Sequence, residues 1–268
     1  MKTRIIVGLA LTALLAGVLY LGGWMQVAVF TLAALLAVHE MGVVLRTRGI
    51  HPWLLPAYAF GASYCVLHFY LCSAAPLAVL GFVCFTAVVV ERLFNEKRTT
   101  EDCFGGLILF LYPLPLFTVL MLLGGAFPRN IGVTALFMAF AGPLVGDTLA
   151  YFIGSFFGKH KLCPAISPKK TVEGGIASLF GGILGGALVF WLQGYWGGNV
   201  PLEALLILGA ICGLLGQVGD LFASLIKRWA GVKDYGSIFP GHGGIMDRLD
   251  SVLFCAPALF TYFYFMAK

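Results

Sequence analysis

Between Ser224 and Ser251 the chain reads SLIKRWAGVKDYGSIFPGHGGIMDRLDS, three acidic and four basic side chains set between two long apolar runs. On a helix, Asp220, Ser224 and Lys227 fall at i, i+4 and i+7 and share one face. Asp247 and Asp250 stand at i, i+3 and share a face where the last apolar run begins. Gly236, Pro240, Gly241, Gly243 and Gly244 forbid a plain helix through the middle of the segment. A kinked connection of this length is short enough to bring the two helix ends together. It would gather Asp220, Asp247 and Asp250 near Lys227, Arg228, Lys233 and Arg248. Carboxylates beside cations suit a hard divalent ion bridging to phosphates, because Mg2+ takes oxygen ligands, typically one or two carboxylates plus substrate phosphate. The lysines and arginines would hold the remaining negative charge.

A second basic element, KHKLCPAISPKKTVEGG, begins at Lys159. Ser167-Pro168 reads as a turn, Lys169 and Lys170 follow it, and Thr171 is placed to cap the next helix, whose free N–H groups suit an anion. GSFFGKH, just upstream, is not a phosphate-binding loop of the Walker type. It lacks one residue of spacing and has His160 where a Ser or Thr should bind magnesium. Asp147 lies ten residues before Phe157, about 15 Å along a helix axis. A carboxylate at that depth in lipid costs at least ~2.5 kcal/mol unless it faces a wet cavity, a cation or a partner. His39 and Glu40 stand near the inner end of an apolar run. HEMGV is a near miss for the H-E-x-x-H zinc motif, with Val43 in place of the second ligand. The pair reads as structural, or as packing beside a site.

The elements that must hold these groups follow from composition. Of the 268 residues 60% are hydrophobic and 11% charged, against roughly 25% charged in soluble domains. That excludes a soluble core. Nine runs approach the ~20 apolar residues that a helical span needs: 4–22, 24–45, 53–71, 74–91, 104–125, 131–157, 174–196, 201–226 and 249–267. They do not alternate apolar and polar, so the expected fold is an all-α polytopic bundle rather than a barrel. Glycine pairs four residues apart, from Gly154 and Gly158 to Gly209 and Gly213, allow close helix packing in the second half.

Of the seventeen Lys and Arg, only Arg129 and Lys268 fall on the opposite side of the nine spans from the rest. The positive-inside rule then puts the N-terminus in the cytoplasm and the C-terminus outside. The net charge of +5 is this topological bias and implies no nucleic-acid partner. The first run exceeds a signal-peptide core and no A-x-A site follows, so it reads as an uncleaved helix. The seven cysteines stand singly, without a zinc or disulfide pattern. Chemistry belongs to residues 131–268, and residues 1–130 read as an N-terminal transmembrane region.

S-x-x-K-R-x4-K-D-x-G-x2-F-P-G-H-G-G-x-x-D-R-x-D, from Ser224 to Asp250, resembles the signature of the phosphatidate cytidylyltransferases, or CDP-diacylglycerol synthases, with no departure at its defining positions. GDTLAYFIGSFFGKHKL (146–162) and ISPKKTVEG (166–174) are similar to two further segments of that family. The resemblance implies transfer of CMP from CTP to phosphatidate at the inner membrane face, with pyrophosphate released. It also implies Mg2+, with a second cation clamping the attacking and leaving oxygens, and a homodimer associating through the N-terminal region. By matching position, Asp220, Asp247 and Asp250 would hold metal. Lys227, Arg228 and Arg248 would face triphosphate or lipid phosphate, with Ser224 and Lys233 beside them. His242, Gly243 and Gly244 would shape the loop against the nucleotide, Lys169 and Lys170 would cover the pyrophosphate end, and Asp147 would line the polar cavity. A plasma (inner) membrane is the implied setting.

Two other functions compete. A CTP-dependent polyprenol kinase resembles the same family, but the complete signature favours the cytidylyltransferase. A transporter would need a site near the midplane and usually an internal repeat, whereas these charges cluster at one edge. The D-x-x-D-G-x-x-A-R pattern of CDP-alcohol phosphotransferases is absent.

Overall fold

The computed structural model describes residues 15–71, 74–239 and 243–266. Most of the first expected span, 4–22, lies outside the described residues, as does His242. The chain forms two compact units. One combines the chain up to Leu122 with Trp229–Arg248; the other combines Leu123–Arg228 with the chain from Leu249.

In the first unit residues 15–21 are helical and are followed by α1 (Gly23–Arg46), α2 (Leu55–Leu71), α3 (Ala74–Phe94) and α4 (Thr100–Ile108). α5 (Leu114–Gly125) leads into the second unit. The buried face of α1 carries Phe30, Ala34, Ala37, Val38, Met41 and Leu45, the spacing expected of one helical stripe. The apolar run 104–125 is not one span. It breaks between α4 and α5 at residues 109–113, because Pro113 and Pro115 remove two amide donors and Pro113 disfavours helix at the residue before it. A capping box starts α4: Thr99 Oγ1 accepts from Asp102 N (3.1 Å), and the Asp102 carboxylate accepts from Thr99 N (3.0 Å). Asp102 also accepts from His51 N. Burial alone would push its carboxyl up; these backbone donors, with Arg98, hold it below its ordinary value.

The second unit contains α6 (Arg129–Phe157), a hairpin of β1 (Lys161–Cys163) and β2 (Ser167–Thr171), α7 (Val172–Gln193), most of α8 (Leu202–Ala230) and most of α9 (Met246–Met266). On the first four turns of α7 the inward residues are small, Gly174, Ala177, Ser178, Gly181, Gly182, Gly185 and Gly186, and Val189 and Gln193 continue the buried face. The outward ones are large: Ile176, Phe180, Leu184, Leu188 and Trp191 are all exposed. This is the arrangement lipid favours, since bulky side chains lose nothing by facing acyl tails while small ones let backbones touch. A Cβ on Gly181 would stand 2.7 Å from Gly146 Cα on α6, and one on Gly182 would stand 2.8 Å from Gly209 C on α8. Polar ties cross the same seam: Ser178 Oγ donates to Gly213 O (3.0 Å) and Gln217 Nε2 to Gly175 O (2.8 Å).

Among the described residues six helices, α1, α3, α6, α7, α8 and α9, are long and apolar enough to cross a membrane. α2 has 17 residues and α5 has 12. The protein is a helical membrane protein, and the described helices of full spanning length number six where the apolar runs number nine.

Candidate active site

In the second unit, five of the residues singled out by type and spacing converge. Ser224 Oγ lies 3.4 Å from Asp220 Oδ1, one turn along α8, which places Asp220, Ser224 and Lys227 on the expected face. Lys227 and Ser224 are both only 8% exposed. Asp250, 6% exposed in the first turns of α9, is within electrostatic reach of Asp220, Lys227 and Asp147. α6 supplies Asp147, whose Oδ2 accepts from Ser251 Oγ at 3.4 Å and which also feels Lys170 and Asp220.

Lys170 reaches this cluster from the hairpin. The structure corrects the turn expected at Ser167-Pro168: the turn is Pro164–Ile166, closed by Ile166 N donating to Cys163 O (3.2 Å), and Ser167 and Pro168 lie in β2. Pro164 starts the turn, and Pro168 in a two-stranded hairpin leaves no ladder partner unsatisfied on its outer side. In a strand successive side chains alternate. Lys169 is exposed, while Lys170 turns inward with its Nζ 2.6 Å from Asp220 Oδ2. The contact is an ion pair in which the Lys170 Nζ atom itself is buried. Thr171 caps α7 as expected, accepting from Gly174 N at 3.1 Å. Arg228 Nε donates to Ile166 O (3.2 Å), which ties the end of α8 to the hairpin turn.

Three carboxylates (Asp147, Asp220, Asp250) and two ammonium groups (Lys170, Lys227) thus share one region, buried at Asp250 and Lys227 and half-buried at the others, with carboxylates outnumbering ammonium groups. Oxygen donors with a charge surplus fit Mg2+. Among the described residues no three acidic, His or Cys side chains form a closed metal cage.

In the first unit the remaining signature residues wrap a tight loop. Asp247 Oδ2 accepts from Tyr235 N (2.8 Å) and Gly244 N (3.0 Å). Phe239 N donates to Gly243 O (3.0 Å) across the bend. Gly243 has φ +80°, and a Cβ there would stand 2.8 Å from Asp247 Oδ2, so the position requires glycine twice over. Lys233 and Arg248 are exposed. Asp247 and Asp250 lie one turn apart on α9.

Sequence reasoning took Glu40 as structural or as packing beside a site, and the structure supplies its contacts. It is 2% exposed, and its Oε1 and Oε2 accept from Ile245 N and Met246 N, both at 2.9 Å. An acid inside an otherwise apolar run was the available signal. His39 Nδ1 pairs with Tyr58 OH at 3.3 Å.

Residues 2–266 match the model of the cytidylyltransferase family. The chain belongs to this family. Among its relatives, the phosphatidate cytidylyltransferase of Synechocystis is 33% identical over 288 residues, covering 97% of this chain and 95% of the relative. The chloroplastic phosphatidate cytidylyltransferase 5 of Arabidopsis thaliana is 29% identical over 292 residues, 97% of this chain and 71% of the relative. A phosphatidate cytidylyltransferase of Staphylococcus epidermidis is 45% identical over 132 residues, 49% of each chain. For this member of the cytidylyltransferase family, the buried charge cluster and the Asp247 loop are therefore the places to look for its chemistry.

Proposed function

We propose that the protein transfers CMP from CTP to phosphatidate, forming CDP-diacylglycerol and pyrophosphate, and that residues 131–268 carry the chemistry. The observation that carries this reading is Lys170 Nζ, a buried cation paired with Asp220 and within electrostatic reach of Asp147. Such a cation suits the oxygens of a polyphosphate. A phosphate oxygen of phosphatidate attacks the α-phosphorus of CTP. The bond from that phosphorus to the oxygen bridging to the β-phosphorus breaks, and pyrophosphate leaves with the electron pair. No redox partner is required.

Asp220 and Asp250, with Asp247 from the signature loop, would hold Mg2+ and a second cation, whose charge would neutralise the attacking and leaving oxygens. The protein's own groups position and shield. Lys170 and Lys227 hold the triphosphate against that cluster, and Lys169, Arg228, Lys233 and Arg248 would meet further phosphate charge. Ser224 orients Asp220, and Asp147 keeps the floor of the site polar. By the family resemblance, His242, Gly243 and Gly244 would shape the loop against the nucleotide. Catalysis here is mainly alignment and charge neutralisation.

Phosphorus labelling tests the reaction. Label at the α position of CTP enters the organic phase with added phosphatidate, and γ label leaves as pyrophosphate; chelation of divalent cations stops both. Label from the γ position on a polyprenol would instead make the protein a lipid kinase.

The substrate is a nucleotide of the cytoplasm, which fits the basic side of the molecule, so the site and N-terminus face inward across a plasma membrane and the C-terminus faces out. Lys159 and Asn199, both exposed, flank α7 at its two ends. In a cysteine-free background, Asn199→Cys reacts with an impermeant maleimide on intact cells, and Lys159→Cys reacts only after permeabilisation. The reverse pattern would place the site away from CTP and overturn the reading. Association into a homodimer through the N-terminal region is checked by mass measurement in detergent, where a monomeric mass would refute it.

A further inference from the structure

α9 begins without a cap of its own. Its first helical residue is Met246, preceded by Ile245 and Gly244, none of which offers the side-chain oxygen that a helix start normally receives from Ser, Thr, Asp or Asn. Glu40, 205 residues earlier in the chain, fills that place with both oxygens. The bonds to Ile245 N and Met246 N offset the cost of burying a carboxylate at 2% exposure. The surrounding backbone is fitted to this one side chain. A Cβ on Gly236 would stand 2.6 Å from Glu40 Oε1, and a Cβ on Gly244 would overlap the Glu40 carboxyl group itself. The next residue, Asp247, holds the same loop from its other side through Tyr235 N and Gly244 N. Two neighbouring carboxylates thus share the amides of one segment, and each fixes where the other can stand.

We infer that Glu40 is a positioning residue for the reaction: it pins the first turn of α9 and thereby aims the Asp247 carboxylate. The inference rests on the proposed function and brings the N-terminal region into the site's support. It requires that Glu40 act through Asp247 and not merely through stability. Asp102 provides the comparison, being a second buried carboxylate of the same unit that caps a helix, α4.

The test uses the full-length protein in detergent. Glu40→Gln keeps the shape but turns one acceptor into a donor facing a backbone N–H. Binding of Mn2+, read by the loss of its free paramagnetic resonance signal, weakens roughly tenfold or more, in the range seen when groups behind a metal ligand are removed. The Mg2+ concentration for half-maximal turnover rises by a similar factor, and Glu40→Asp, which keeps both oxygens, recovers part of the loss. Asp102→Asn lowers the melting temperature while leaving Mn2+ affinity within about twofold. Wild-type Mn2+ affinity in folded Glu40→Gln would overturn the inference. If that variant does not fold, Gly236→Ala decides: the added methyl pushes on Glu40 Oε1, and unchanged Mn2+ affinity there would equally overturn it. Failure of the wild type to transfer α label would defeat the proposed reaction alone, since the Mn2+ measurement needs no turnover.

Discussion

Asp220→Asn gives a protein that inserts, purifies and melts like the wild type yet turns over at least about 100-fold more slowly. Asparagine preserves the volume, so the packing of α8 has no reason to change. Charge is what disappears. Lys170 Nζ loses the carboxylate 2.6 Å away, and the cluster of Asp147, Asp220 and Asp250 loses the member that both others feel. Removing one of three like charges relieves repulsion, which offsets the loss of the Lys170 ion pair, so the fold is little changed. Function suffers because the site's surplus negative charge, which would attract a divalent ion, is gone. Initial rates of α-label transfer per folded protein, paired with melting temperature, check this. Activity within about threefold of wild type would remove Asp220 from the metal-holding group.

The second large effect falls on folding. Gly182→Ala leaves little or no monodisperse protein after detergent extraction, while Gly194→Ala extracts normally. The substitutions are chemically identical and both lie in or beside α7. A methyl at 182 runs into the backbone of Gly209, whereas a methyl at 194 meets nothing within 4 Å. Backbone cannot rotate aside as a side chain can, so α7 and α8 must separate, and the Ser178–Gly213 and Gln217–Gly175 bonds stretch with them. Overpacking typically costs about 1–3 kcal/mol and more where relaxation is blocked. Size-exclusion profiles of the two variants settle it, and equal recovery would show that the seam is looser than its geometry states.

Which of these features could be read from the sequence follows from the range of the forces involved. Asp220, Ser224 and Lys227 were legible as a face because helical spacing is local, and Thr171 as a cap for the same reason. The depth of Asp147 was legible because an acid in an apolar run stands out. The turn expected at Ser167-Pro168 was misplaced: Ser-Pro commonly marks a turn, and only pairing with Lys161–Cys163 makes these residues strand. The break between α4 and α5 was hidden by hydropathy, since Leu109, Leu111 and Leu114 continue the apolar run through two prolines. Glu40 was hidden more deeply. Its partners lie 205 residues away, and no local pattern links a glutamate in one helix to the unsatisfied amides of another.

The small-residue seam of α7 also governs how the cluster behaves on warming. A packed leucine or lysine gives up rotamer freedom on folding and regains some of it by hopping; glycine has none to give or regain. Contacts such as Gly181 against Gly146, or Gly182 against Gly209, therefore have no side-chain soft modes. Asp147 and Asp220 stand on the two helices gripped by that seam. The separation of those helix backbones is set by backbone against backbone, so thermal agitation of side chains in the surrounding bundle has little purchase on it.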